Sequence, residues 1–97
     1  MSNKKFDVDQ IIFSGHIRSM TIAPEQCRAA RAWLNWSQGE LAERASVGLS
    51  TVKSFESGTR IPIANNLSAI QRALEEAGVT MVFGDASKAT GIAVKRV

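Results

Sequence analysis

Residues 36–58 read WSQGELAERASVGLSTVKSFESG, and this stretch decides the fold. Ser37 followed three positions later by Glu40 forms a capping box, in which the serine oxygen accepts a first-turn backbone N–H and the glutamate reaches back to the serine amide. A helix is therefore predicted to start at Gln38. Its apolar positions Leu41, Ala42 and Ala45 make one stripe, leaving Glu40, Glu43 and Arg44 to solvent. The stripe breaks at Ser46-Val47-Gly48, a three-residue turn with one apolar residue inside it. A second short helix is expected from Leu49 to Ser57, with Val52 and Phe55 inward and Gly58 where a helix C-terminus places a glycine.

Upstream, Pro24 supplies a backbone angle suited to a first helical position, and Glu25 suits the positive end of the helix dipole. Cys27, Ala30 and Leu34 recur at helical spacing, so a helix is predicted over Pro24–Leu34 and closed by Asn35, which tolerates the left-handed conformation. Ala23 cannot cap it with a side chain, so its start is expected either to fray or to borrow Thr21 as a substitute. Downstream of Arg60-Ile61-Pro62, Asn65 is read as the cap of a fourth helix in which Leu67, Ile70, Ala73 and Leu74 keep helical spacing up to Gly78. Val79–Phe83 and Ile92–Val97 are rich in β-branched residues and flank Gly-Asp-Ala-Ser-Lys-Ala-Thr-Gly, the pattern of a β-hairpin with a loose loop. An isolated hairpin is marginal in water, so it is expected to pair with the fourth helix and the N-terminal arm, or with a second subunit. The organisation that results is an arm over residues 1–20, whose order the sequence leaves open although Gln10–Phe13 could form a short strand, a helical domain over 21–78, and a hairpin extension of that domain over 79–97 as a candidate dimer contact.

Composition narrows the function. At 97 residues, 44% of them hydrophobic, the chain can bury one core. A net charge of +3 and a pI near 9.5 favour an anionic partner, though mildly. The single cysteine, Cys27, has no second thiol or nearby histidine with which to build a disulfide or a metal site, and His16 stands alone in the arm, so no metal and no cofactor is expected. Cys27 reads as a small core residue, and Trp36 as core; Trp33 is expected to meet the hairpin or a partner subunit instead. Glu40, Glu43, Glu75 and Glu76 are explained by capping and helix solvation, and no nucleophile–base pair supports an enzyme. The longest apolar runs fall far short of the ~20 residues of a membrane span, and no secretory signal precedes the domain, which gives a cytoplasmic protein without membrane contact.

Two helices joined by a tight turn bind double-stranded DNA when the first crosses the phosphate backbone and the second lies in the major groove. That docking needs a small residue at the helix contact, an apolar plug in the turn and short polar side chains on the outer face, and Ala42, Val47 and Ser50, Thr51, Lys53 and Ser54 supply them. The stretch Trp36 to Ala42, with Val47, Thr51, Val52 and Phe55-Glu56-Ser57-Gly58, resembles the XRE family of phage-repressor and Cro-like helix-turn-helix proteins over roughly Glu25 to Gly78. The resemblance implies a mainly α, four-to-five-helix repressor-like domain with the C-terminal hairpin added, and a transcriptional regulator, read here as a repressor. It also implies that Gln38 holds a phosphate, that Leu49, Ser50, Lys53 and Ser54 read bases, and that Arg31 pairs with Glu56 to fix the reading helix. Arg60, with Arg28 and Lys53, could line the phosphate-facing side. Two departures stand out: the reading set lacks a bidentate amide or guanidinium, and Gly48 stands where the family often has a capping Ser or Thr. A homodimer on a palindromic site is expected. The alternative is an antitoxin that covers a toxin with its arm or hairpin and autoregulates through the same helices.

Overall fold

A computed structural model of the chain describes residues 21–85 and 88–95. The N-terminal arm, including the candidate strand at Gln10–Phe13 and His16, lies outside the described residues. Four helices and a hairpin follow in order: α1 (Pro24–Leu34), α2 (Gln38–Ala45), α3 (Leu49–Ser57), α4 (Ala64–Glu76), β1 (Val79–Phe83) and β2 (Ala89–Val94).

The first three helices start and stop where local chemistry directs. Ser37 Oγ accepts the Glu40 amide at 3.0 Å while Glu40 Oε1 accepts the Ser37 amide at 2.8 Å, closing the capping box of α2. Asn35 ends α1 in the left-handed region at φ 60°, and Ser46 ends α2 there at φ 58°. A left-handed serine is costly, roughly 1–2 kcal/mol. It is held because the Val47 amide reaches back to the Ala42 carbonyl at 3.0 Å, turning Val47 onto the core. Gly58 closes α3 at φ 78°, a value that glycine adopts freely.

Two elements, α4 and β2, depart from the limits expected from the sequence. Asn65 is not the cap of α4: the helix begins at Ala64, with Ile63 as N-cap and the Leu67 amide bonded to the Ile63 carbonyl at 3.1 Å. The start lies in solvent, where Ala64 and Asn65 are exposed, so water can serve the amides that no side chain caps. The second strand runs over Ala89–Val94 rather than Ile92–Val97, taking in the last three of the eight residues that read as loop and leaving Lys95 outside it. A register shift makes this possible, since Val82 pairs with Gly91 and Phe83 with Ala89, leaving Thr90 as the extra residue of a bulge. The Thr90 methyl lies so close to Gly84 that a β-carbon there would sit 2.8 Å from it.

The core joins all six elements, with Cys27, Leu41, Val52, Ile70, Leu74 and Val79 fully buried. The hairpin packs within the same chain, β1 against α4 and β2 against α1, with Val79 and Met81 inward. Gln26, one of two buried polar side chains among the described residues, fastens it. Its Oε1 accepts the Ala23 amide at 2.9 Å, so Gln26 does the capping expected of Thr21. Its Nε2 donates to the carbonyls of Val82 and Gly91, both at 2.9 Å, one on each strand.

Three hydrogen bonds to a buried amide, two of them to the hairpin, make Gln26 a polar tie between the start of α1 and the hairpin. Gln26→Ala is expected to cost about 2 kcal/mol in urea unfolding, because it strands buried backbone groups. A loss below about 0.5 kcal/mol, the range of ordinary surface changes, would contradict this role.

Candidate nucleic-acid interface

Helix α3 is positioned by a carboxylate. Glu56, in the last turn of α3, is 3% exposed, and its two oxygens accept four hydrogen bonds. Arg31 of α1 donates two of them as a fork, Nε to Oε2 and Nη2 to Oε1, each at 2.8 Å. The Cys27 thiol donates to Oε2 at 3.0 Å, and Gln38 Nε2 of α2 donates to Oε1 at 3.0 Å. A carboxylate offers about four lone-pair sites, and here all are filled. The remaining reach of Arg31 goes to the Trp36 carbonyl, 2.9 Å from Nη1, which ties the α1–α2 connection to the same cluster.

Charge follows this geometry. Burial alone pushes the Glu56 carboxyl up, but hydrogen bonds from Arg31, Cys27 and Gln38, with the charge of Arg31, outweigh burial and hold it below the ordinary glutamate value. The bond to Glu56 raises Arg31 against the opposing effect of burial. Burial, and then the neighbouring carboxylate, push the Cys27 thiol well above its ordinary range, so it stays protonated and serves as a donor.

On the outer surface, Leu49, Ser50 and Lys53 are exposed along one face of α3, as the i, i+1 and i+4 spacing requires. Ser54 is set back: it is half-buried and lines a groove of about 270 Å³ together with Ser50, Arg60, Ile61, Ile63 and Asn66. Arg60 is exposed at the mouth of that groove. Gln38 stands at the first position of α2, half-buried, with its amide nitrogen engaged by Glu56. Arg28 is committed elsewhere than the sequence reading put it, since its Nη1 donates to the Glu56 backbone carbonyl. Trp36 is half-buried against the core with the Arg44 guanidinium 4.4 Å from its ring centre, while Trp33 lies half exposed.

The helix pair, its turn and the exposed face of α3 are those of a groove-reading module, and a helix-turn-helix family model matches residues 28–77, more than half of the chain. The chain belongs to the helix-turn-helix family of Cro/C1 type. As a Cro/C1-type protein it is a DNA-binding helix-turn-helix regulator, of a family that is not enzymatic. No curated protein matches the sequence. Among the described residues no helix is long and apolar enough to cross a membrane.

Within this Cro/C1-type fold the Arg31–Glu56 pair and the exposure of Leu49, Ser50 and Lys53 agree with the sequence expectation, whereas Thr51 and Ser54 are half-buried and the links from Cys27, Gln38 and Arg28 to Glu56 are additional to it. Cys27 gives no signal of its own, because a cysteine at a core position reads as apolar filling. A signal for Gln38 did exist: a glutamine opening α2 lies opposite the end of α3 once the turn is closed.

The cluster makes a pH prediction. A carboxyl held below its unfolded value adds stability that is fully present above pH ~4.5 and is lost as pH falls through the folded value. Stability should therefore drop in acid below about pH 4.5, and Glu56→Gln should flatten that limb. At neutral pH, Arg31→Ala should cost about 3–5 kcal/mol, since it strands a buried charge. Equal acid limbs in native protein and Glu56→Gln, followed by circular dichroism, would remove Glu56 from this role.

Proposed function

We propose that this regulator is a repressor that binds as a two-fold dimer, each copy placing α3 in a major groove of half-sites about one helical turn (~34 Å) apart. The observation that carries the proposal is the outward set of Leu49, Ser50 and Lys53 on a helix whose opposite face is locked to the body through Glu56. A rigid mount is what groove reading needs, because side chains must meet base edges within hydrogen-bonding tolerance.

In this reading Gln38 and Arg60 hold the phosphate backbone. Free amides at the start of α2 suit an anion, and one hydrogen of the Gln38 amide remains beside its bond to Glu56. Ser50 and Lys53 hydrogen-bond bases, Lys53 to guanine acceptors, and Ser54 acts from the edge of the groove toward Arg60. With no bidentate amide or guanidinium among them, specificity is modest and partly set by DNA shape. The dimer is supported by the hairpin, a two-stranded sheet that would hide an edge by pairing with a second copy. The antitoxin alternative turns on residues 1–20, outside the described residues; a stoichiometric partner on purification of the native protein would favour it.

Selection of bound duplexes from random DNA, followed by affinity against salt, tests the proposal. A recurrent palindrome and a steep negative slope of log K on log salt are expected. Lys53→Ala should relax preference at one base pair by about 1–3 kcal/mol. Gln38→Ala should weaken all sites alike, with its unfolding midpoint measured alongside because Gln38 also holds Glu56. Unchanged affinity and preference in both variants would contradict the docking, and monomer alone at micromolar concentration would contradict the dimer.

A further inference from the structure

The outer face of α3 carries Ser50 and Lys53, which can hydrogen-bond to bases, and Leu49, which cannot. Leu49 is 44% exposed at the first position of the helix. Among the described residues the core does not employ it: the inward residues of α3 are Val52, Phe55 and Glu56, and Leu49 is not among the apolar side chains packed on the core. The helix start does not favour it either, since proline or an acidic residue serves that position best. The preceding Gly48 has φ −69°, open to any residue, and a β-carbon there would touch only the hydroxyls of Thr51 and Ser50, at 3.7 and 3.8 Å. Among the described residues nothing demands glycine at this point. Its bare backbone instead leaves the space beside Leu49 open to whatever α3 docks on.

In the major groove the C5 methyl of a pyrimidine is the apolar feature of a base edge, while guanine, adenine and unmethylated cytosine present hydrogen-bonding groups. Against those, leucine would strip water from polar atoms and return nothing. We infer that Leu49 reads a pyrimidine C5 methyl group, that of thymine or of 5-methylcytosine, and so makes affinity depend on that methyl at one base pair of each half-site. The inference rests on the reading that α3 enters the major groove. It assigns the protein a sensitivity to the methylation of DNA as well as to its sequence.

Duplexes recovered by selection supply the probe. Each thymine is replaced singly by deoxyuridine, which lacks only the methyl, and each cytosine singly by 5-methylcytosine. Burying one methyl-sized group corresponds to about fourfold in affinity. One thymine per half-site is therefore expected to lose about fourfold on replacement, or, where the site holds cytosine there, methylation should strengthen binding by about fourfold. Leu49→Ala should erase this difference, and Leu49→Gln, which keeps the length of the side chain, serves as an independent second variant. Equal binding of thymine and deoxyuridine at every position, with no gain from 5-methylcytosine, overturns the inference. So does a methyl effect that persists in both variants. Failure to bind any duplex overturns the groove reading beneath it, which separates the two.

Discussion

A buried carboxylate is unfavourable unless every oxygen lone pair finds a donor, and the fold of this chain is arranged around meeting that demand at Glu56. Its donors come from α1, through Cys27 and Arg31, and from α2, through Gln38, while Glu56 itself belongs to α3. Three helices are thereby fixed to one point by bonds with direction, which apolar packing alone does not provide. Arg28, bonded to the Glu56 carbonyl, repeats the attachment through the backbone. The end of α3 is held from inside, so its first turns are free to face outward.

The same constraint explains the division of labour along α3. Its apolar positions Val52 and Phe55 and its buried acid Glu56 face the body, while Leu49, Ser50 and Lys53 face away. Few of the outward side chains offer strong, two-pronged base contacts. In the docking proposed above, a helix of this composition would discriminate through single hydrogen bonds, a methyl contact and the shape of the duplex, each a small increment, and would lean on the backbone for affinity.

Most helix limits were legible in the sequence because they are written in single residues with a local mechanism: Pro24, the Ser37–Glu40 box, Asn35 and Gly58 act within one turn of where they stand. The misreadings share another origin. Asn65 offers a cap, yet solvent performs that service for α4 at no cost in helix length. The early start of β2 depends on a bulge at Thr90 that matches a partner strand, a condition no local pattern reveals. Gln26, at the third position of α1, reads as an ordinary polar helix residue, and only the arrival of the hairpin 56 and 65 residues later turns it into a clamp. Of the site, the Arg31–Glu56 pair was readable through resemblance, but the contributions of Cys27 and Gln38 depend on how three helices converge.

The account stands on one claim, that α3, held by Glu56, is the surface that meets DNA. The most direct measurement is a titration of ¹⁵N-labelled protein with a selected duplex, followed by amide chemical shifts. The account predicts that the largest changes fall on residues 49–54 and at the start of α2 around Gln38 and Gly39. Changes confined to the hairpin or to α4, with α3 unshifted at saturation, would contradict it.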